Sequence, residues 1–150
     1  MTKNEWTTAG FDEMSWHDAP FYGFKLIEID AETCAVDMAF DIDFTLHGFR
    51  SDDGAFGFVV AHGSLCFCTV SGLRFDLDYT APPAGMCPFS IAGIERKPLT
   101  FPTGYQSFDR VIDINWPRGR IAFESPGFIQ TLVGPVHEQD SQSLDARLRL

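Results

Sequence analysis

Residues 35–46 read Ala-Val-Asp-Met-Ala-Phe-Asp-Ile-Asp-Phe-Thr-Leu, with a period of two. Val36, Met38, Phe40, Ile42, Phe44 and Leu46 fall on one side. Ala35, Asp37, Ala39, Asp41, Asp43 and Thr45 fall on the other. Successive side chains of a strand point to opposite faces, so this stretch predicts an antiparallel strand with one face buried and one wet.

The same period extends outward in both directions. Before it, residues 21–30 read as a strand, and Ala31-Glu32-Thr33-Cys34 as the turn of a hairpin. After it, residues 47–56 form a loop around the turn signal Ser51-Asp52-Asp53-Gly54. Residues 57–79 are β-rich, with Leu65, Phe67, Leu73, Phe75, Leu77 and Tyr79 in phase. Ser71-Gly72 marks a bulge or bend that separates two strands there. Pro82-Pro83-Ala84-Gly85 ends the stretch, residues 89–97 are a strand stopped by Pro98, and residues 107–116 are another. Pro117-Arg118-Gly119 is a turn. Residues 120–124 and 128–133 then predict a closing hairpin across Ser125-Pro126-Gly127.

The predicted fold is mainly β: an antiparallel sandwich or open barrel of about seven to eight strands, with at most a short terminal helix. Residues 1–20 are an N-terminal arm whose Trp6, Phe11, Met14 and Trp16 dock on the sheet. Residues 21–134 are the β domain, and 135–150 a tail or short helix. The expected core is Leu26, Ile29, Val36, Met38, Phe40, Ile42, Phe44, Leu65, Phe67, Phe75, Leu77, Ile112, Ile114, Trp116, Ile121 and Phe123.

Composition narrows the function. The chain has 150 residues, 45% of them hydrophobic and 21% charged, which argues against general disorder. There are 21 acidic residues against 11 basic ones, a formal net charge of -10. Phosphate binding needs a basic stripe, and the densest basic cluster is only Arg118-Gly119-Arg120, so nucleic acid is not expected as a partner. Nor is an anionic membrane surface. No apolar run approaches the roughly 20 residues that span a bilayer, and no signal-peptide pattern opens the chain. The four cysteines, Cys34, Cys66, Cys68 and Cys87, read as reduced thiols, and the expected location is the cytoplasm.

Three constellations bear on chemistry. Ser15-Trp16-His17-Asp18 puts an imidazole beside a carboxylate, either a general base or an aromatic anchor followed by a turn. His62, Cys66 and Cys68 share a strand face. One flat strand cannot close a tetrahedral zinc site, so a bulge and a further ligand such as Cys87 would be needed. No metal or other cofactor is expected. Third, Asp37, Asp41 and Asp43 line one strand face, Asp76 and Asp78 a second, and Asp109 and Asp113 a third. On neighbouring strands these would make one negative patch able to steer a basic partner, or else a simple solvated face. No Gly-x-Ser-x-Gly elbow, phosphate loop or His-Glu-x-x-His motif is present.

Ser15-Trp16-His17-Asp18, Phe123–Gln130 and Asp140–Leu144 together resemble segments of a group of small uncharacterised bacterial all-β proteins with an N-terminal Trp-His-Asp motif. Some of that group look like toxin-immunity proteins. The resemblance implies no activity. It agrees with the layout and adds weight to an immunity-type binder.

The sequence therefore predicts a non-enzymatic protein that engages a basic protein partner through an acidic sheet face, as an immunity-type inhibitor does. The expected binding residues are Asp37, Asp41, Asp43, Asp76, Asp78, Asp113, Trp16, His17 and Asp18, and none is assigned a catalytic role. The rival is a small-ligand or metal-dependent enzyme in a barrel mouth, with His17 and His62 among its polar groups. Homo-oligomerisation through edge strands is a third possibility.

Overall fold

The computed structural model describes residues 4–33, 35–78, 89–116 and 118–149. Tyr79, the Pro82–Gly85 turn, Pro117, Cys34 and Cys87 lie outside the described residues, as do the side chains of Ile29 and Trp116. Among the described residues eight antiparallel strands form one sheet: β1 (Glu5–Thr7), β2 (Ala19–Asp30), β3 (Ala35–Arg50), β4 (Phe56–Leu77), β5 (Phe89–Thr100), β6 (Gln106–Trp116), β7 (Gly119–Glu124) and β8 (Gly127–Gln139). Among the described residues no helix is long and apolar enough to cross a membrane.

The strands are ordered β1-β8-β4-β3-β2-β5-β6-β7, and β7 returns to pair with β4. That last pairing closes a ring of six strands, β4-β3-β2-β5-β6-β7. β8 and β1 extend the sheet from the first half of β4. The architecture is thus a barrel and not a pair of packed sheets.

The closing element is β4. Its 22 residues extend roughly 70 Å at about 3.3 Å per residue, too long to serve one neighbour without coiling. It pairs with β8 over Phe58–Cys68 and with β7 over Ser71–Leu77. The change of partner falls at a register shift flanked by positive φ at Thr69 (47°) and Gly72 (62°). Ser71-Gly72 therefore bends a single strand; it does not separate two.

The expected hairpin across Ser125-Pro126-Gly127 does not form. β7 and β8 both run antiparallel to β4, with Glu124 opposite Ser71 and Gly127 opposite Cys68. They lie end to end, as one path kinked at Ser125. The Ser125 hydroxyl holds the kink by donating to the carbonyls of Cys68 and Gly127. Further boundaries move. β3 runs on through Arg50, so residues 47–50, expected in the loop, pair with residues 56–59. β5 continues through Pro98 to Thr100, because beyond Ile91 only its β6 edge is paired and proline is tolerated on such a strand. β8 continues past residue 134 to Gln139, and the arm contributes the short β1.

The inward faces of the ring carry Met38, Phe40, Ile42, Leu65, Phe67, Ile112, Ile114, Ile121 and Phe123, all buried, and Phe128 of β8 packs into the same core. The arm closes one end of this core. Trp16 is buried there, its indole N–H donates to Gln130 Oε1 at 2.7 Å, and its ring meets Phe11 and Phe128. Leu26 and Phe75, expected in the core, are 52% and 41% exposed. Their parity is that of the core, since Leu26 lies opposite Met38 and Phe75 opposite Ile121. However, β2 meets β5 only over Ala19–Phe21, so its later residues run beyond the closed part of the ring.

Candidate functional site

The outer face of β2, β3 and β4 carries the main polar cluster. β3 and β4 form a hairpin in which Asp43 lies directly opposite His62, and Asp41 opposite Ser64. His62 Nε2 is 2.8 Å from Asp41 Oδ1, and its Nδ1 is 3.7 Å from Asp43 Oδ1. The imidazole thus sits between two carboxylates of different exposure. The Asp41 side chain is 51% exposed and the Asp43 side chain is fully buried.

Burying a carboxylate is costly unless donors replace water. Asp43 has them. Tyr22, at the bulge of β2, donates its hydroxyl to Asp43 Oδ2, and the backbone N–H of Leu144 donates to the same oxygen at 2.8 Å. The C-terminal segment lies across this face as a strap, with Leu144 buried. Gln142 Nε2 donates to Thr45 Oγ1 at 3.1 Å and to the His17 carbonyl at 3.2 Å. The strap ends in a short 3-10 turn, Ala146–Arg149.

Beside the cluster is an open concavity of about 430 Å³, whose lining includes Gly23, Lys25, Asp41, His62, Ser64 and Val133. Gly23 lies opposite Asp41, and a Cβ placed there meets nothing within 4 Å. The missing side chain leaves the approach to the Asp41 carboxylate open.

The other expected acidic residues do not join this pair: Asp37 lies nearer the start of β3, Asp76 and Asp78 lie at the far end of β4, and Asp109 and Asp113 are on β6. Asp37 accepts the Thr69 backbone N–H at 2.9 Å, at the bulge of β4. Asp76 and Asp113 both lie opposite Arg120, one on each side of it, so a cation separates them. Asp78 follows the end of β4, where its backbone N–H donates to the Arg118 carbonyl. Asp109 lies between Lys97 and Glu124. The single acidic face is therefore corrected to a local pair, Asp41 and Asp43, of which Asp43 is inaccessible.

Trp16 belongs to the core, which removes it from any binding surface. His17 and Asp18 do touch, with His17 Nε2 3.3 Å from Asp18 Oδ2. The contact follows from the left-handed backbone of Asp18 (φ 60°), held by its N–H to the Ile91 carbonyl and by Asn115 Nδ2 donating to its carboxylate. It is an exposed turn.

His62 faces the aspartates, not the cysteines. Among the described residues no three His, Cys, Asp or Glu side chains converge as metal ligands. Cys66 and Cys68 are free, half-buried thiols. Burial pushes both thiols above their ordinary range, with the negative charge of Asp37 adding to the shift, and the Arg110 charge partly opposing it at Cys68.

Neither Tyr22 nor Leu144 stood out in the sequence as a site residue. Comparison with protein-family models, with curated proteins and with solved structures returns no match.

Proposed function

We propose that this protein is a non-enzymatic binding module that receives a cationic group of a basic protein partner in the concavity beside Asp41. The observation that carries this reading is the pairing of a half-exposed Asp41 with the buried Asp43 behind His62, at a position that Gly23 leaves open. The cluster holds two carboxylates and exposes one of them. A Lys or Arg side chain entering the concavity meets Asp41 first, with Asp43 adding longer-range attraction through a poorly screened interior. The net charge of -10 speeds the approach of any basic partner, and the concavity adds a place for it to dock. An immunity-type inhibitor, which covers a basic toxin, is the specific form of such a binder.

Affinity capture from a host lysate at low and high salt tests this, with wild type beside Asp41→Lys and Asp113→Lys. The two variants change net charge equally. A basic protein captured by wild type and Asp113→Lys, released by salt and lost with Asp41→Lys, is the expected result. Equal loss in both variants would leave only bulk charge and refute the docking site.

One observation favours a second reading. A buried carboxylate on the Nδ1 side of an imidazole is the arrangement of a general base. In the barrel-mouth enzyme read from the sequence, this convergence would lie in the mouth of the ring; here it lies on the outer face. His62→Gln separates the readings: it abolishes turnover if the imidazole moves protons, and leaves capture intact if the site only binds.

A further inference from the structure

Arg110, on the inward face of β6, is 1% exposed. Its Nε donates to the Ser125 carbonyl at 3.0 Å, while Nη1 and Nη2 have no hydrogen-bond partner among the described residues. The rings of Phe108, Phe67 and Phe128 lie 4.9, 5.4 and 5.8 Å from its guanidinium carbon. Stacking of this kind engages the face of a guanidinium group. The N–H bonds lie in its plane and still require acceptors.

A second cation lies alongside. Arg96 of β5 is directly opposite Arg110, and its guanidinium carbon lies 4.6 Å from Phe108, the ring that Arg110 also approaches, and 4.4 Å from Phe11 of the arm. Its Nη1 donates to the Thr8 carbonyl at 3.3 Å. Among the described residues its ion-pair partner is Asp12, 3.7 Å away, and that side chain is 88% exposed. Like charges directly opposite on paired strands repel, and a buried charge without a counter-ion is costly. On the same inner wall, Gln130 gives its Oε1 to Trp16, which leaves the buried Nε2 donor without a partner. Among the described residues, the unpartnered side-chain atoms of Arg110 and Gln130 are thus all donors.

We infer that Arg96 and Arg110, beneath the N-terminal arm, form a site for a small oxyanion, either a carboxylate or an inorganic phosphate or sulfate. Planar guanidinium edges match two oxygens of one anionic group. Arg96 is one-fifth exposed and marks the way in. The site is separate from the Asp41 concavity and independent of the function proposed for it.

The test is thermal unfolding of the full chain in sodium acetate, phosphate or sulfate, each compared with sodium chloride at equal ionic strength. Expected is a saturable rise in Tm with at least one oxyanion, roughly 3 °C at ten times its Kd, and absent in Arg110→Met. Acetate alone shifting Tm assigns a carboxylate; phosphate or sulfate assigns a tetrahedral anion. Arg96→Met, at a partly exposed position, serves as a second variant should Arg110→Met fail to fold, and it must weaken the shift at least tenfold in anion concentration. A Tm that follows ionic strength alone in wild type, or a shift retained in the folded variants, overturns the inference.

Discussion

The Asp43 carboxylate accepts the backbone N–H of Leu144 at 2.8 Å, tying the centre of β3 to a residue 101 positions later in the chain. The strap is thereby part of the site: it covers Asp43, and the covered charge lies behind the exposed Asp41. Replacing Asp43 by Ala removes the acceptor for Tyr22 and for Leu144. Leaving such donors unmet costs about 2–4 kcal/mol. Hydrogen exchange should show the amides of residues 141–149 losing protection before the barrel does. Unchanged protection of Leu144 would mean that its burial, and not Asp43, holds the strap.

Thr69 adopts φ 47°, where a β-branched residue is strained. Its side chain is exposed, and the bond to Asp37 comes from its backbone. Thr69→Gly therefore relieves strain and loses no contact that closes the barrel. The expected gain is about 1 kcal/mol, a rise in Tm of roughly 2–4 °C. A lower Tm would show that the hydroxyl or methyl group is needed at the bend.

Gly119 starts β7 at φ 158°, and a Cβ there would lie 2.1 Å from the Asp76 carbonyl oxygen. The β4–β7 pairing that closes the ring cannot persist unchanged with any side chain at this position. Gly119→Ala should destabilise by about 2 kcal/mol or more, with lost protection concentrated in residues 74–77 and 119–122. A Tm within a degree of wild type would mean that the ring closes without this contact.

Burial and the Asp37 charge raise the pKa of Cys66 and of Cys68, so each thiol is less ionised at any given pH than a free cysteine. Alkylation by iodoacetamide at pH 8 should be slower than for glutathione and should accelerate as pH rises above 9. Asp37→Asn removes one cause of the shift and should speed the reaction. Rapid modification at neutral pH would contradict both steps.

The strands that alternate over ten or more residues were legible in the sequence, β3 most of all. Parity identified the face but not the depth: Leu26 and Phe75 point inward, yet lie beyond the region where the ring overlaps. Ser125-Pro126-Gly127 carries a turn signal, and its flanks were read as pairing with each other. A local signal cannot show that a 22-residue neighbour satisfies both flanks. The site was half legible. Counting back from the turn, Arg50 pairs with Phe56, and an unbroken register would place Asp43 opposite Gly63. A one-residue bulge between Thr45 and His47 brings it opposite His62 instead. No local pattern announces that bulge, nor the return of the C-terminal segment over Asp43.

The most direct test of the cationic docking site is a two-dimensional ¹⁵N NMR titration with a short arginine-rich peptide at low salt, in wild type and in Gly23→Tyr. A Cβ at Gly23 meets no neighbour, so the tyrosine should fill the concavity without disturbing the barrel. In wild type, the first amides to shift should be those of residues 23–25, 39–41, 62–64 and 133, reversed by added salt, and Gly23→Tyr should weaken the binding at least tenfold. Shifts spread evenly over acidic surface residues, or equal in the two proteins, would contradict a built site and leave the negative charge as solvated surface.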